Sequence, residues 1–287
     1  MSRNERLLEA CELCGSGEFT NIYKRNEYHS HIVQCNNCGV TFSNPQVEID
    51  YKSHGKYIRK HLKNEVGRRK TAQWRIEQIK KHYNNGRLFE IGCSAGLFLD
   101  EARKAGFDVS GSELNKDAVD YARKELGLIV HDKIDLSEIN NEKKWDVIVM
   151  FNLLEHIPKP MEFLSYVTEN MLSENGIMVI EVPHIFTIHS KITGTKGQHL
   201  SMAHFFYYSA KTMENLIDRI GFNILDKQWG KRVYTIGISF EIVLRRHKWL
   251  KALFSKLLNL AGLYEKHVAI GGTHDFLFYI VSRKDKK

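Results

Sequence analysis

Hydrophobic positions change period repeatedly along the 287 residues, and each change marks a predicted element. Leu88, Phe89 and Ile91 form a short apolar run that stops at Gly92. Phe98, Leu99, Ala102 and Ala105 then recur at helical spacing until Gly106 breaks the pattern, and a second strand over 107–111 delivers Glu113. Residues 87–114 therefore read as strand, glycine turn, helix, strand and acid, one turn of a doubly wound α/β unit. The alternation continues beyond it. An amphipathic helix is predicted over 115–126, with Ala118, Val119, Ala122 and Leu126 inward, and a short strand over 128–130. Residues 145–151 are continuously apolar, as in a strand buried on both faces. A helix over 161–171, a strand over 177–182, a helix over 210–220 and strands over 221–229, 234–244 and 274–282 complete the pattern. The predicted class is α/β, a doubly wound and mostly parallel sheet.

The N-terminal segment has a different texture. Cys11, Cys14, Cys35 and Cys38 form two C-x2-C knuckles twenty residues apart, each followed by glycine, with predicted strands over 19–24 and 31–34 between them. This spacing suits four thiolates around Zn²⁺. Disulfides are the alternative, and the absence of an apolar export segment over 1–12 argues against them. Four thiolates leave no open position, so such a metal is structural. His29 and His31 lie between the knuckles and read as exposed ribbon residues. A polar connector over 47–56 leads to a long helical pattern over 57–83, with Trp74, Ile76 and Ile79 on its apolar side. Its cations Arg68, Arg69 and Lys70 read as a solvated face rather than as contacts to an anionic substrate.

The glycine turn carries the chemistry. A dinucleotide fingerprint needs three glycines, and here only Gly92 and Gly96 are present, with Glu90 before them. A carboxylate there would repel a pyrophosphate but suits a cationic ligand. Glu113, at the end of the second strand, is placed to accept hydrogen bonds from ribose hydroxyls. The letters from Gly92 to Gly96 also match G-x-S-x-G, the hydrolase nucleophile elbow. That reading leaves Glu90 and Glu113 without a role, and Cys93 then reads as a small turn residue.

The E-x-G-x-x-x-G pattern resembles motif I of class I S-adenosylmethionine-dependent methyltransferases. Residues 152–158, Asn-Leu-Leu-Glu-His-Ile-Pro, resemble the N-x-L-E-H-x-P segment of ubiquinone-biosynthesis-like O-methyltransferases, and His204 to Ser209 resembles their H-x-x-x-Y/F-S segment. The resemblance covers residues 87–282, and residues 11–46 resemble the zinc ribbon that some bacterial members carry. It implies a seven-stranded Rossmann-like sheet and S-adenosyl-L-methionine as cofactor. The implied cofactor set is Glu90, Gly92, Cys93, Ser94, Gly96, Glu113, Leu114, Asp135 near the adenine, and Asn152 beside the methionine moiety. Cys93-Ser94-Ala95 replaces the Gly-Thr-Gly common in the family, which makes the turn bulkier but keeps both outer glycines. His156 lies at the rim where methyl transfer occurs, and His156 or His204 is the candidate base, an imidazole being suited to take a hydroxyl proton.

The expected organisation is a zinc ribbon over 1–46, a connector and capping helix over 47–86, and the methyltransferase domain over 87–287. A lid over 184–208 carries His184, His189, His199 and His204, without the spacing of a second metal site. A basic amphipathic helix over 245–266 places Leu250, Leu253, Phe254, Leu257, Leu258 and Ala261 on one face. It reads as docked on the domain or a second subunit, with peripheral membrane contact as the alternative. No window is long and apolar enough for a membrane span, and a soluble cytoplasmic protein is expected. The net charge of +8 is spread over several clusters. The expected activity is O-methylation of a small molecule such as a sugar, glycan precursor or secondary metabolite. RNA methylation is the alternative, with the ribbon and basic helices gripping phosphates. Against it, the ribbon offers mainly Phe19, Tyr23 and Tyr28 for base stacking. A third reading is a binding protein that keeps the fold without turnover.

Overall fold

The computed structural model describes residues 5–24, 31–47, 58, 61–133, 136–139, 143–185, 204–244, 248–270 and 275–284. The N-terminal part holds five strands: β1 (Glu5–Arg6), β2 (Phe19–Lys24), β3 (His31–Cys35), β4 (Thr41–Asn44) and β5 (Gln46–Val47). The remainder alternates in the predicted manner. It runs α1 (Glu65–Lys80), β6 (Gly86–Ile91), α2 (Leu97–Lys104), β7 (Phe107–Ser112), α3 (Lys116–Lys124), β8 (Val130–His131), β9 (Trp145–Phe151), α4 (Pro160–Tyr166) and β10 (Leu172–Pro183). After β11 (Phe206–Tyr207) come α5 (Ala210–Arg219), β12 (Phe222–Trp229), β13 (Arg232–Thr235), α6 (Ile236–Val243), α7 (Lys248–Leu260), β14 (His267–Ile270) and β15 (Phe276–Arg283).

Seven strands form the main sheet in the order β12-β15-β10-β9-β6-β7-β8. Strands β8, β7, β6, β9 and β10 run parallel, while β15 inserts antiparallel between β10 and β12. The chain leaves β6 toward β7 and β8, then returns to place β9 on the other side of β6. That reversal opens a crevice beyond the carboxyl ends of β6 and β9, where sheets of this kind bind ligands. Both faces of the central strands are covered: Leu88, Val147 and Val179 pack on one side, and Phe89, Ile148 and Ile180 on the other. Their uninterrupted apolar sequences follow from that double burial.

The ribbon strands pair β2-β3-β4, and β11 adds a fourth strand. Phe206 lies opposite Phe42, and Tyr207 opposite Thr41. Val33, Val40 and Phe42 share one buried cluster with Phe206, Met213 and Leu216. The N-terminal strands β2, β3 and β4 thus belong to one sheet with β11.

Local differences from the sequence pattern have physical causes. Residues 234–244 were expected as a strand, yet β13 ends at Thr235 and a helix follows. The Thr235 hydroxyl accepts from Ile238 N at 3.1 Å, an N-cap that satisfies an orphan donor of the first turn. A continuous apolar run suits either state, and this cap decides it. The helix expected over 161–171 is α4 followed by a π turn at Val167–Met171. Arg69 is not simply solvated: its Nη1 contacts Asp100 and Glu101 at 2.7 Å each, and its Nε contacts Glu65 at 2.8 Å.

Candidate active site

The turn after β6 depends on glycine. Gly92 and Gly96 hold positive φ, 77° and 73°, a region that side chains disfavour. A Cβ on Gly96 would lie 2.7 Å from Leu128 Cδ1, and one on Gly92 would lie 3.2 Å from Leu153 Cδ1. Ser94 and Asn152 also have positive φ, 49° and 53°, and no other non-glycine among the described residues does. They lie on the loops after β6 and β9, the two strands that flank the crevice. Such backbone states gather at ligand sites.

Glu113 ties these loops together. Its Oε2 accepts from Ser94 N, and its Oε1 accepts from Leu114 N and Asn115 N, each at 2.8 Å. Gly92 N and Cys93 N both donate to Ser112 O, at 2.8 and 2.9 Å. Three of about four acceptor directions on the Glu113 carboxylate are therefore filled by backbone. The residue braces the turn and keeps about one direction for a ligand hydroxyl.

Glu90 lies within β6, 4% exposed, and its Oε2 has no hydrogen-bond partner. Burial pushes its carboxyl up to about 8 against the pull of Arg75, with Glu113 adding to the rise. An orphaned buried carboxyl beside a glycine cradle fits a cationic ligand group, which would restore the missing partner. Burial also drives the Cys93 thiol well above its ordinary range, with Glu90 and Glu113 adding to the effect. That thiol is a packing residue, not a nucleophile.

Beside this turn lies an ionic cluster that spacing did not reveal. Glu181, at the end of β10, is fully buried between two arginines. Arg75 from α1 donates to its Oε1 at 2.6 Å and its Oε2 at 3.2 Å, and Arg232 from β13 also donates to Oε1. Burial alone would raise this carboxyl, but Arg232 and Arg75 outweigh it and hold it at about 2. Arg232 further donates to Asn152 Oδ1 at 3.3 Å, while Asn152 N donates to Glu181 O at 2.7 Å. Asn152 is thereby fixed by side chain and backbone together. The Arg75 guanidinium lies 3.9 Å over the Phe151 ring, facing the end of β9.

The third component is the short 3-10 turn Leu154–His156 after β9. His156 N donates to Leu153 O at 2.8 Å, which closes the turn. Phe205 N donates to Glu155 O at 2.7 Å and brings the segment leading into β11 onto it. The rings of His156 and His204 meet edge to face, centroids 4.8 Å apart. Glu155 is 1% exposed, neither of its carboxyl oxygens has a hydrogen bond, and Oε1 lies 3.9 Å from His156 Nε2. Burial pushes this carboxyl up to about 8, and Glu181 adds to the rise. Ligand atoms of Glu155, His156 and His204 all lie within 4.8 Å of one another. This set can accept and pass a proton, and its donors also suit a divalent cation. Histidine spacing gave no sign of the cluster, because His204 reaches it from 48 positions away. Asp135, His189 and His199 lie outside the described residues.

Residues 58–227 match the protein family described as "Methyltransferase domain". The chain belongs to this family. The methyltransferase is 28% identical over 112 residues to the ubiquinone biosynthesis O-methyltransferase of Rickettsia typhi, covering 37% of this chain and 45% of that protein. With the enzyme of the same name from Pelagibacter ubique it shares 27% identity over 177 residues, 54% of this chain and 73% of that one. The chain spans about half the length of the Rickettsia relative it matches. Its fold is similar to the crystal structure of magnesium protoporphyrin IX methyltransferase from Synechocystis with bound SAH. The TM-score is 0.51 at 12% identity, covering 81% of this chain and 90% of that one. The crevice described above lies within this S-adenosylmethionine-dependent methyltransferase domain.

A second cluster in the methyltransferase joins Cys11, Cys14, Cys35 and Cys38, whose sulfurs all lie within 4.8 Å of one another. Cys11 and Cys38 sulfurs are 3.7 Å apart, and those of Cys14 and Cys35 are 3.5 Å apart. Disulfide sulfurs sit about 2.0 Å apart, whereas thiolates around tetrahedral zinc at about 2.3 Å sit about 3.8 Å apart. The observed spacing matches the second arrangement.

Proposed function

We propose that this methyltransferase transfers a methyl group from S-adenosylmethionine to a hydroxyl of a small molecule such as a sugar, glycan precursor or secondary metabolite. The supporting observation is the imidazole pair His156 and His204, with His156 on the turn that follows Asn152 after β9, the strand that pairs with β6. The curated relatives above are named O-methyltransferases, in keeping with a hydroxyl acceptor.

S-adenosylmethionine supplies an electrophilic methyl group on a sulfonium centre. Glu90 is assigned to the donor's ammonium group, for which it has a free buried oxygen. Arg75 is assigned to the donor's carboxylate, because Arg75 and Arg232 together outweigh the single charge of Glu181. Gly92, Cys93, Ser94, Gly96 and Leu114 line the donor through their backbone, and Glu113 takes a ribose hydroxyl on its remaining acceptor direction. Asn152, held by Arg232, flanks the methionine moiety. His156 or His204 removes the acceptor's proton as its oxygen approaches, and alignment supplies the rest of the acceleration. The four N-terminal cysteines are assigned to one structural zinc ion.

Nucleic acid is a weaker fit as acceptor. Of the neighbouring α1 cations Arg68, Arg69 and Lys70, Arg69 is already committed to Glu65, Asp100 and Glu101. Calorimetric titration with S-adenosylhomocysteine tests the donor assignment, and absence of heat on folded protein overturns it. Incubation with labelled donor and fractionated extract, followed by mass spectrometry, tests the acceptor; a methyl group found on RNA or on nitrogen replaces the hydroxyl assignment.

A further inference from the structure

Residues 245–264 contain five cations, Arg245, Arg246, Lys248, Lys251 and Lys256, and no acid. Within this stretch α7 carries apolar residues on two different faces. One face docks. Leu250 and Leu258 are partly buried, the Phe254 ring stacks on Phe240 of α6 at 5.7 Å, and Lys251 pairs with Glu241 at 3.1 Å.

The other face is open. Trp249, Leu253, Leu257 and Leu260 are spaced by four, four and three residues, which aligns them in one stripe. They are 69%, 47%, 51% and 77% exposed. The sequence pattern placed Leu253 and Leu257 on the docked face; the structure puts them outside. Lys256 is exposed on the border of the stripe, and Ala252 and Asn259 continue the solvent side. Four large side chains in one exposed row are an interaction surface, because single exposed apolar residues are ordinary but a contiguous row is not.

Charge decides the occupant. A second copy docked by a two-fold axis would set each stripe on its equivalent and bring Lys256 toward a stretch that carries cations and no acid, which disfavours pairing. An anionic lipid surface uses both features, with the stripe entering the headgroup and acyl boundary while Lys256 meets the phosphates. At thirteen residues α7 is about 20 Å long, too short to span a bilayer but suited to lie in its plane. Among the described residues no helix is long and apolar enough to cross a membrane.

We propose that α7 docks this protein on anionic membrane surfaces through Trp249, Leu253, Leu257 and Leu260, with Lys256 meeting lipid phosphates. The test is co-sedimentation of the full chain with vesicles of phosphatidylcholine alone or mixed equally with phosphatidylglycerol. Binding should be roughly tenfold or more tighter on the mixed vesicles and weaken with salt. The doubly substituted Leu253→Ser, Leu257→Ser variant should lose that binding while keeping the wild-type melting curve, since both side chains face solvent. Lys256→Gln should weaken binding to mixed vesicles alone. Equal binding of wild type and the double variant overturns the proposal, as does no binding to mixed vesicles. A wild-type dimer that the double variant dissolves also overturns it, and gives the stripe to a second copy.

Discussion

His156 and His204 stand 48 positions apart in the chain, yet their rings meet edge to face at 4.8 Å. One imidazole comes from the turn after β9 and the other from the end of the lid. Contact of that kind lets one ring carry the proton while the other orients it, so the two residues should act as a unit. Replacing the base with glutamine should lower kcat by about a hundredfold to ten-thousandfold. Replacing its partner should cost less and shift the pH-rate profile, and the double variant should be little worse than the base variant alone. Strictly multiplicative losses would show that the two rings act independently.

Glu181 compensates two buried arginines, so removing its charge leaves both without a counterion. Glu181→Gln should cost about 3–5 kcal/mol of stability near neutral pH, measured by urea unfolding. The sign with pH follows from its depressed carboxyl, held at about 2 in the folded protein against an ordinary 4.5. The stabilisation is full above about 4.5 and is lost as pH falls toward 2, a span worth about 3 kcal/mol. The gap between wild type and variant should therefore close on acidification. A gap independent of pH would mean that packing, rather than charge, accounts for the loss.

How far the sequence disclosed this arrangement depended on range. The strand, turn, helix and acid from Leu88 to Glu113 are neighbours in the chain, and their pattern was legible directly. Residues 152–158 stood out only through their resemblance to a family segment, and the turn at Leu154–His156 comes from the structure. Arg75 and Arg232 were not legible, because they reach Glu181 across 106 and 51 positions and only the sheet order brings them together. Nothing in the local pattern sets either apart from the other cations of the chain. The pairing of Phe206 with Phe42 was hidden in the same way, since two-residue strands leave almost no periodic trace. Residues 236–243 misled for a different reason: eight mostly apolar residues fit either element, and the decision lay in the Thr235 hydroxyl.

Glu90 is protonated below about 8 in the free protein because it is buried. A donor ammonium group placed against it favours the ionised form, so binding must expel a proton. Affinity for the donor should rise with pH, by up to about tenfold per unit between roughly 6 and 8, and level off above. Calorimetry in buffers of different ionisation enthalpy should detect close to one proton released at the lower end. Glu90→Gln should bind more weakly and lose the pH dependence. A wild-type affinity that stays flat over this range would separate Glu90 from the ammonium group.

Removing metal from the four cysteines should act on the acceptor side of the site while sparing the donor side. The knuckle at Cys35 and Cys38 leads directly into β4, and β4 is the strand that holds β11. Ser43 extends the link: its hydroxyl donates to His204 O at 3.0 Å and lies 3.0 Å from the Tyr207 hydroxyl. With the proposed zinc ion at these cysteines, a ribbon this small would depend on the metal for folding, so chelation should unravel β2, β3 and β4 and release β11. Hydrogen exchange should then show lost protection at Phe206 and Tyr207, together with a fall in kcat. The turn at Gly92 and its bonds to Ser112 lie in the main sheet, so S-adenosylhomocysteine affinity should persist. Ser43→Ala, with metal retained, should reproduce part of the kcat loss without the loss of protection in β2. Full protection of Phe206 and Tyr207 after chelation would show that the hydrophobic contacts of Phe42 and Phe206 hold the lid end unaided.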